Sequence, residues 1–143
     1  MALLADEGYL TDLRTAVAGF IAAKYLAVKH PIVGIIGTGT QARLQLQMLQ
    51  DYQDVYVWGR SAENVKSFIA EFPFVKVVAS PQDIAAKCNL IITTTPATQP
   101  VLKAEWIRPG THITAVGTDA PGKCELDLCE GGYLCGGFKA AVC

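Results

Sequence analysis

The stretch Ile32-Val33-Gly34-Ile35-Ile36, followed at once by Gly37-Thr38-Gly39-Thr40-Gln41-Ala42, constrains this chain more than any other feature. The first run shows no polar alternation, which suits a strand buried on both faces of a parallel sheet. Behind it comes a Gly-x-Gly-x-x-Ala pattern, and residues 40 to 51 return to helical spacing, with Ala42, Leu46 and Leu49 on one side. Each small residue answers a geometric demand. Gly37 permits a tight turn out of the strand, Gly39 lets a pyrophosphate approach the backbone, and Ala42 lets the helix lie close to the sheet. The first amides of the helix, aided by its dipole, point at the phosphates. Alone the pattern is weak; a strand before it and a helix after it supply the context that makes it a dinucleotide fingerprint. A glycine-rich turn in some other α/β domain is the competing reading.

The rest of the chain supplies the matching elements. Residues 11 to 29 read as a helix, with Thr11 as N-cap, Leu13, Val17, Phe20, Ile21 and Leu26 at roughly helical spacing, and Pro31 closing it. Val55 to Trp58 is a second strand, and Ser61 caps a helix that runs to about Phe72. Val75 to Val78 is a short third strand. Ser80-Pro81-Gln82-Asp83 opens the next helix, with proline at its first position and an acid near its positive end. Leu90 to Thr94 and His112 to Val116 are further strands, with about one helical turn between them at Lys103 to Ile107. Strands alternating with helices predict right-handed crossovers and a parallel sheet. The expected fold is α/β: an incomplete, Rossmann-like doubly wound parallel sheet with an N-terminal flanking helix. Residues 1–127 form this nucleotide-binding domain, and residues 128–143 are an atypical Cys/Gly-rich tail without clean periodicity.

Composition narrows the partners. Hydrophobic residues make up 51% of the chain and charged ones 17%, a globular balance that argues against disorder. With twelve basic and thirteen acidic residues there is no excess to neutralise a nucleic-acid backbone. No apolar run reaches the roughly 18 residues of a membrane span, and the N-terminus lacks a basic signal-peptide start. The expectation is a cytoplasmic protein without nucleic-acid or membrane partners. Cys88 reads as a core residue. Cys124, Cys129, Cys135 and Cys143 are spaced C-x4-C-x5-C-x7-C, which does not match paired zinc ligands, so no metal is expected.

Candidate ligand contacts fall at the ends of the predicted strands, where doubly wound sheets bind ligands. After the second strand, Trp58-Gly59-Arg60-Ser61 offers no acid for ribose hydroxyls. Arg60 instead presents a fork of donors suited to a 2′-phosphate, and Ser61 adds a hydroxyl. This favours NADPH over NADH, against the alternative of a solvated loop charge. Thr95, in Thr93-Thr94-Thr95-Pro96, could meet the nicotinamide ribose, or simply be a threonine at a strand end. In the loop from Val116 to Lys123, Asp119 could act as general base and Lys123 could hold ligand oxygens; taken alone, the loop reads as a turn. Arg14 could clamp a carboxylate, or be a surface charge.

Read in order, Leu10–Ala16, Gly34–Ala42, Val57–Ser61, Thr93–Pro96 and Ala115–Leu126 strongly resemble the ornithine cyclodeaminase/mu-crystallin family over about residues 8 to 127. The resemblance implies an NAD(P)(H) cofactor and hydride transfer at a carbon bearing nitrogen beside a carboxylate. Such chemistry includes cyclodeamination of ornithine to proline, a lyase reaction, and reduction of ketimines or other imino acids; some relatives interconvert alanine and pyruvate. It implies that Arg14 binds the substrate carboxylate and that Asp119 is the catalytic acid/base. It places Gly37, Thr38, Gly39, Gln41 and Ala42 along the pyrophosphate, and Arg60 and Ser61 on the adenosine ribose or its phosphate. Thr95, Ala115, Val116 and Gly117 flank the nicotinamide side, and Lys123 reaches the cofactor. Family members are longer homodimers whose N-terminal substrate domain has no match here, and the sequence leaves the family pattern after Asp127. The chain therefore reads as a truncated or partial member, as a nucleotide-binding module without catalysis, or as an inactive truncated product.

Overall fold

The computed structural model describes residues 8–49, 51–117, 124–127, 133–135 and 139–142, the last two segments as backbone. Helix α1 (Tyr9–Leu26) leads into β1 (Val33–Ile36), α2 (Thr40–Met48), β2 (Val55–Trp58), α3 (Ala62–Glu71), β3 (Lys76–Val77), α4 (Pro81–Lys87) and β4 (Leu90–Thr93). A two-residue strand β5 (Leu102–Lys103), a 3-10 turn (Ala104–Trp106) and β6 (His112–Ala115) follow, then β7 (Leu126–Asp127), β8 (Tyr133–Cys135) and β9 (Lys139–Val142).

The parallel strands lie in the order β3-β2-β1-β4-β6, with Val33 of β1 opposite Val55 on one side and Leu90 on the other. The chain thus winds outward from β1 in one direction, then returns and winds out in the other. The carboxyl ends of β1 and β4 sit side by side where the direction reverses, which is where such sheets open a crevice. Burial explains the unbroken apolar runs. Val33, Ile35, Leu90 and Ile92 face one layer with Ala42 and Leu46 of α2 and Phe68 of α3. Ile36, Ile91 and Ile113 face the other layer with Ile84, Ala85 and Cys88. Burial there pushes the Cys88 thiol up to about 12, so it stays a neutral core group.

The capping signals are realised at two helices. Ser61 accepts from the Asn64 amide at 3.3 Å. Ser80 and Asp83 form a reciprocal capping box, with Pro81 at the start of α4. At α1 the expectation fails: the helix begins earlier, capped by Gly8 at φ 90, and Thr11 lies inside it. Its buried residues are Ala16, Gly19 and Ala23, while Val17, Ile21 and Leu26 are exposed. The spacing announced a helix correctly, but the face packed on α2 is the small-residue one, which permits close approach. The turn anticipated at Lys103 to Ile107 is shared between β5 and the 3-10 turn.

The tail, which suggested no element, contributes β9 and β8. They extend the sheet beyond β6 in antiparallel pairing, with His112 opposite Val142 and Tyr133 opposite Val142. Beside the main sheet, β5 and β7 pair in parallel, Leu102 opposite Leu126. Among the described residues no helix is long and apolar enough to cross a membrane.

Candidate functional site

A cleft of about 350 Å³ opens at the carboxyl edge of the sheet. Its floor is Gly37, Thr38 and Gly39; one end is Trp58, Gly59, Arg60, Ser61 and Asn64; the other is Thr94 to Thr98 with Val101. The cleft therefore straddles the reversal point between β1 and β4.

The two fingerprint glycines do different work. Gly37 turns at φ 116, and a Cβ there would meet the Thr94 hydroxyl and carbonyl, so the fold itself demands glycine. Gly39 has ordinary extended backbone, φ −81 and ψ −169, and a Cβ there would meet nothing within 4 Å among the described residues. Neither backbone conformation nor protein packing asks for glycine at 39. Gly39 also leaves α2 without a side-chain cap, whereas α3 and α4 have Ser61 and Ser80 as side-chain acceptors. Among the described residues the first-turn amides of α2 thus have no side-chain cap at the floor of the cleft. A positive helix end, bare amides and a surface without a Cβ together suit the diphosphate of a dinucleotide. Ala42 is fully buried between α2 and the sheet, as close helix–sheet packing requires.

The floor is braced by Arg43, a residue that motif reasoning passed over. Its guanidinium donates to the Thr38 carbonyl, to Glu71 at 2.8 Å and to the Ser67 hydroxyl at 3.3 Å, and lies over the Phe68 ring. One side chain thus ties the glycine loop to α3. The signal for it was a lone charge on the inner side of a helix beside the fingerprint.

The expected contacts divide as follows. Gly37, Thr38, Gly39, Arg60, Ser61 and Thr95 line the cleft. Arg60 is exposed, and among the described residues no carboxylate pairs with it. Ser61 spends a lone pair on the Asn64 amide and keeps its proton to donate. Gln41 turns its side chain away, donating to the Asp12 carbonyl and carboxylate on α1 at 3.1 and 3.0 Å, so only its backbone remains for a ligand. Ala115, Val116 and Gly117 sit at the end of β6, and none of the three lines the cleft. Arg14 is exposed on α1, apart from the cleft lining. Asp119 and Lys123 lie outside the described residues. Asn64, Ala97, Thr98 and Val101 join the lining without having been anticipated.

The model of the ornithine cyclodeaminase/mu-crystallin family matches residues 1–129. The chain belongs to that family. Alanine dehydrogenase of Archaeoglobus fulgidus is 45% identical over 129 residues, covering 86% of this chain and 40% of the relative. The ketimine reductase mu-crystallin of Rattus norvegicus is 36% identical over 129 residues, covering 85% of this chain and 41% of the relative. Among solved structures, the Delta(1)-pyrroline-2-carboxylate reductase of Thermococcus litoralis, in complex with NADH and L-proline, superposes with a TM-score of 0.75. It is 37% identical, over 84% of this chain and 40% of that one. This ornithine cyclodeaminase/mu-crystallin family chain thus spans about 40% of the length of these relatives.

Proposed function

We propose that this chain is the nicotinamide-dinucleotide-binding half of an enzyme acting on a small amino or imino acid. The supporting observation is the floor of the cleft: first-turn amides of α2 without a side-chain cap, beside a glycine whose open side no described residue fills. Bound there, the cofactor would supply hydride transfer at a carbon bearing nitrogen. The chain's own residues bind and orient it. The backbone from Gly37 to Ala42 holds the diphosphate, Arg60 and Ser61 hold the adenosine ribose, and Thr95 with Ala115 to Gly117 flank the nicotinamide riboside.

Arg60 sets the cofactor preference in this reading. The Arg60 guanidinium at the end of β2, which pairs with no carboxylate among the described residues, suits a 2′-phosphate bound bidentately. Asp119, in the loop after β6, is proposed as the acid/base, with Lys123 beside the cofactor and Arg14 on the substrate carboxylate. Turnover, through cyclodeamination or imine reduction, is proposed for this half together with the remainder of a family-length chain. The alternative is nucleotide binding without catalysis.

Titration of the purified chain with NADH and NADPH, followed by nicotinamide fluorescence, tests the reading. Saturable binding of both, tighter for NADPH, is expected. Arg60→Ala should weaken NADPH by about 1.5–3 kcal/mol and leave NADH nearly unchanged. Equal affinities in the parent chain would remove the role of Arg60; binding of neither would remove the site. Adding ornithine, alanine or a cyclic imine then separates an enzyme from a binding module.

A further inference from the structure

Glu125 is fully buried, and its carboxylate collects four donors from the carboxyl edge of the sheet. One oxygen accepts from the Thr93 hydroxyl at 2.9 Å and the Gly117 amide at 2.8 Å. The other accepts from the Thr95 amide and, at 2.8 Å, from the Thr95 hydroxyl. Its own carbonyl takes the amides of Val101 and Leu102, and the neighbouring Cys124 amide donates to Ala97. No Lys, Arg or His pairs with it among the described residues. The residue thus pins the ends of β4 and β6 to the segment from 95 to 102 that walls one end of the cleft. The closure is tight: a Cβ on Gly117 would strike the Thr95 carbonyl and the Glu125 carboxylate.

We propose that Glu125 is a positioning residue for the nicotinamide end of the cleft, consuming the Thr95 proton so that Thr95 meets the ligand only as an acceptor. The proposal rests on the dinucleotide reading above. A hydroxyl has one proton and two lone pairs. The Thr95 proton is spent on Glu125, so Thr95 can receive an N–H or O–H but cannot donate to a phosphate oxygen. A nicotinamide riboside offers such donors, in its carboxamide NH₂ and its ribose hydroxyls; a diphosphate offers none. Thr95 therefore favours a riboside over a phosphate at this end of the cleft. Glutamine cannot replace the carboxylate. Each carboxylate oxygen holds one backbone N–H, which cannot turn round, so the glutamine NH₂ must face one of them donor to donor.

The test is calorimetric titration of the parent chain, Glu125→Gln and Thr95→Val with ADP, NADH and the 3-acetylpyridine analogue of NADH, alongside thermal unfolding of each. ADP should bind all three proteins alike, while NADH weakens about tenfold or more in both variants. If the carboxamide is the donor, the parent chain disfavours the acetylpyridine analogue and Thr95→Val loses that distinction. If a ribose hydroxyl is the donor, the analogue tracks NADH throughout. Should Glu125→Gln fail to fold, Thr95→Val, which keeps the carboxylate and the Thr95 amide, carries the test. Unchanged NADH affinity in folded Thr95→Val overturns the proposal, as does a parallel loss of ADP, the signature of a general structural defect. A parent chain that binds neither ADP nor NADH overturns instead the dinucleotide reading on which it rests.

Discussion

Replacing Gly39 by alanine separates a glycine kept for the fold from one kept for a ligand. The backbone at 39 is extended, and the added methyl meets no atom of the described residues within 4 Å. Two small effects on stability oppose each other. Alanine restricts the unfolded chain, worth about 0.4–1 kcal/mol in favour of folding. It is a poorer N-cap than glycine, by a similar amount. Stability should therefore stay within about 0.5 kcal/mol of the parent, a shift of roughly 2 °C or less in Tm. Binding should weaken sharply. The methyl takes the space through which a diphosphate reaches the α2 amides, and losing one charge-assisted bond costs about 2–3 kcal/mol, or roughly 30- to 150-fold in Kd. Gly37→Ala is the control with the opposite pattern. At φ 116, with Thr94 atoms in the path of its Cβ, it should cost about 2–4 kcal/mol and lower Tm by roughly 5–15 °C. Calorimetric melting and NADH titration on both variants decide the matter. A Gly39→Ala chain that melts normally and binds NADH as well as its parent would refute the assignment of that open surface to a phosphate.

Two further predictions concern the frame around the site. Gln45 is fully buried opposite Gly19, and neither end of its amide has a partner among the described residues. Gln45→Met should raise stability by about 1 kcal/mol, or roughly 2–4 °C in Tm, by removing an unsatisfied buried amide; a lower Tm would contradict the reasoning. His112 is buried in β6, and burial lowers its pKa from the ordinary 6.5. The unfolded chain then takes up a proton before the folded one does, so the contribution of His112 is complete above 6.5 and is lost as pH falls below it, toward the folded pKa. Urea unfolding at about pH 7.5 and 5.5 should show a smaller acid loss for His112→Asn than for the parent; an equal loss would assign that slope to other groups.

Particular residues show how far the sequence could be read. The run at β1 announced a doubly buried strand because burial on both faces removes alternation, and Ser61 and Ser80 announced helix starts because capping is a local interaction. Local physics also made the glycine loop legible. What stayed hidden depends on partners distant in the chain. Nothing near Leu102 says that it pairs with Leu126, and nothing in the tail says that Ala140 lies beside Thr114. Of the large apolar residues of α1, Phe20 packs on the core but Val17, Ile21 and Leu26 are exposed, while the small Ala16, Gly19 and Ala23 are buried. Nothing in Lys-Cys-Glu-Leu marks Glu125 as buried; only the meeting of Thr93, Thr95 and Gly117 around it reveals a buried acceptor.

The central claim is a placement, and diffraction from crystals of this chain grown with NADH tests it most directly. The diphosphate should lie on the Gly37–Gly39 backbone against the first turn of α2, with adenosine toward Arg60 and the nicotinamide riboside beside Thr95. A dinucleotide bound elsewhere on the sheet, or bound in this cleft in the reverse direction, would contradict the account.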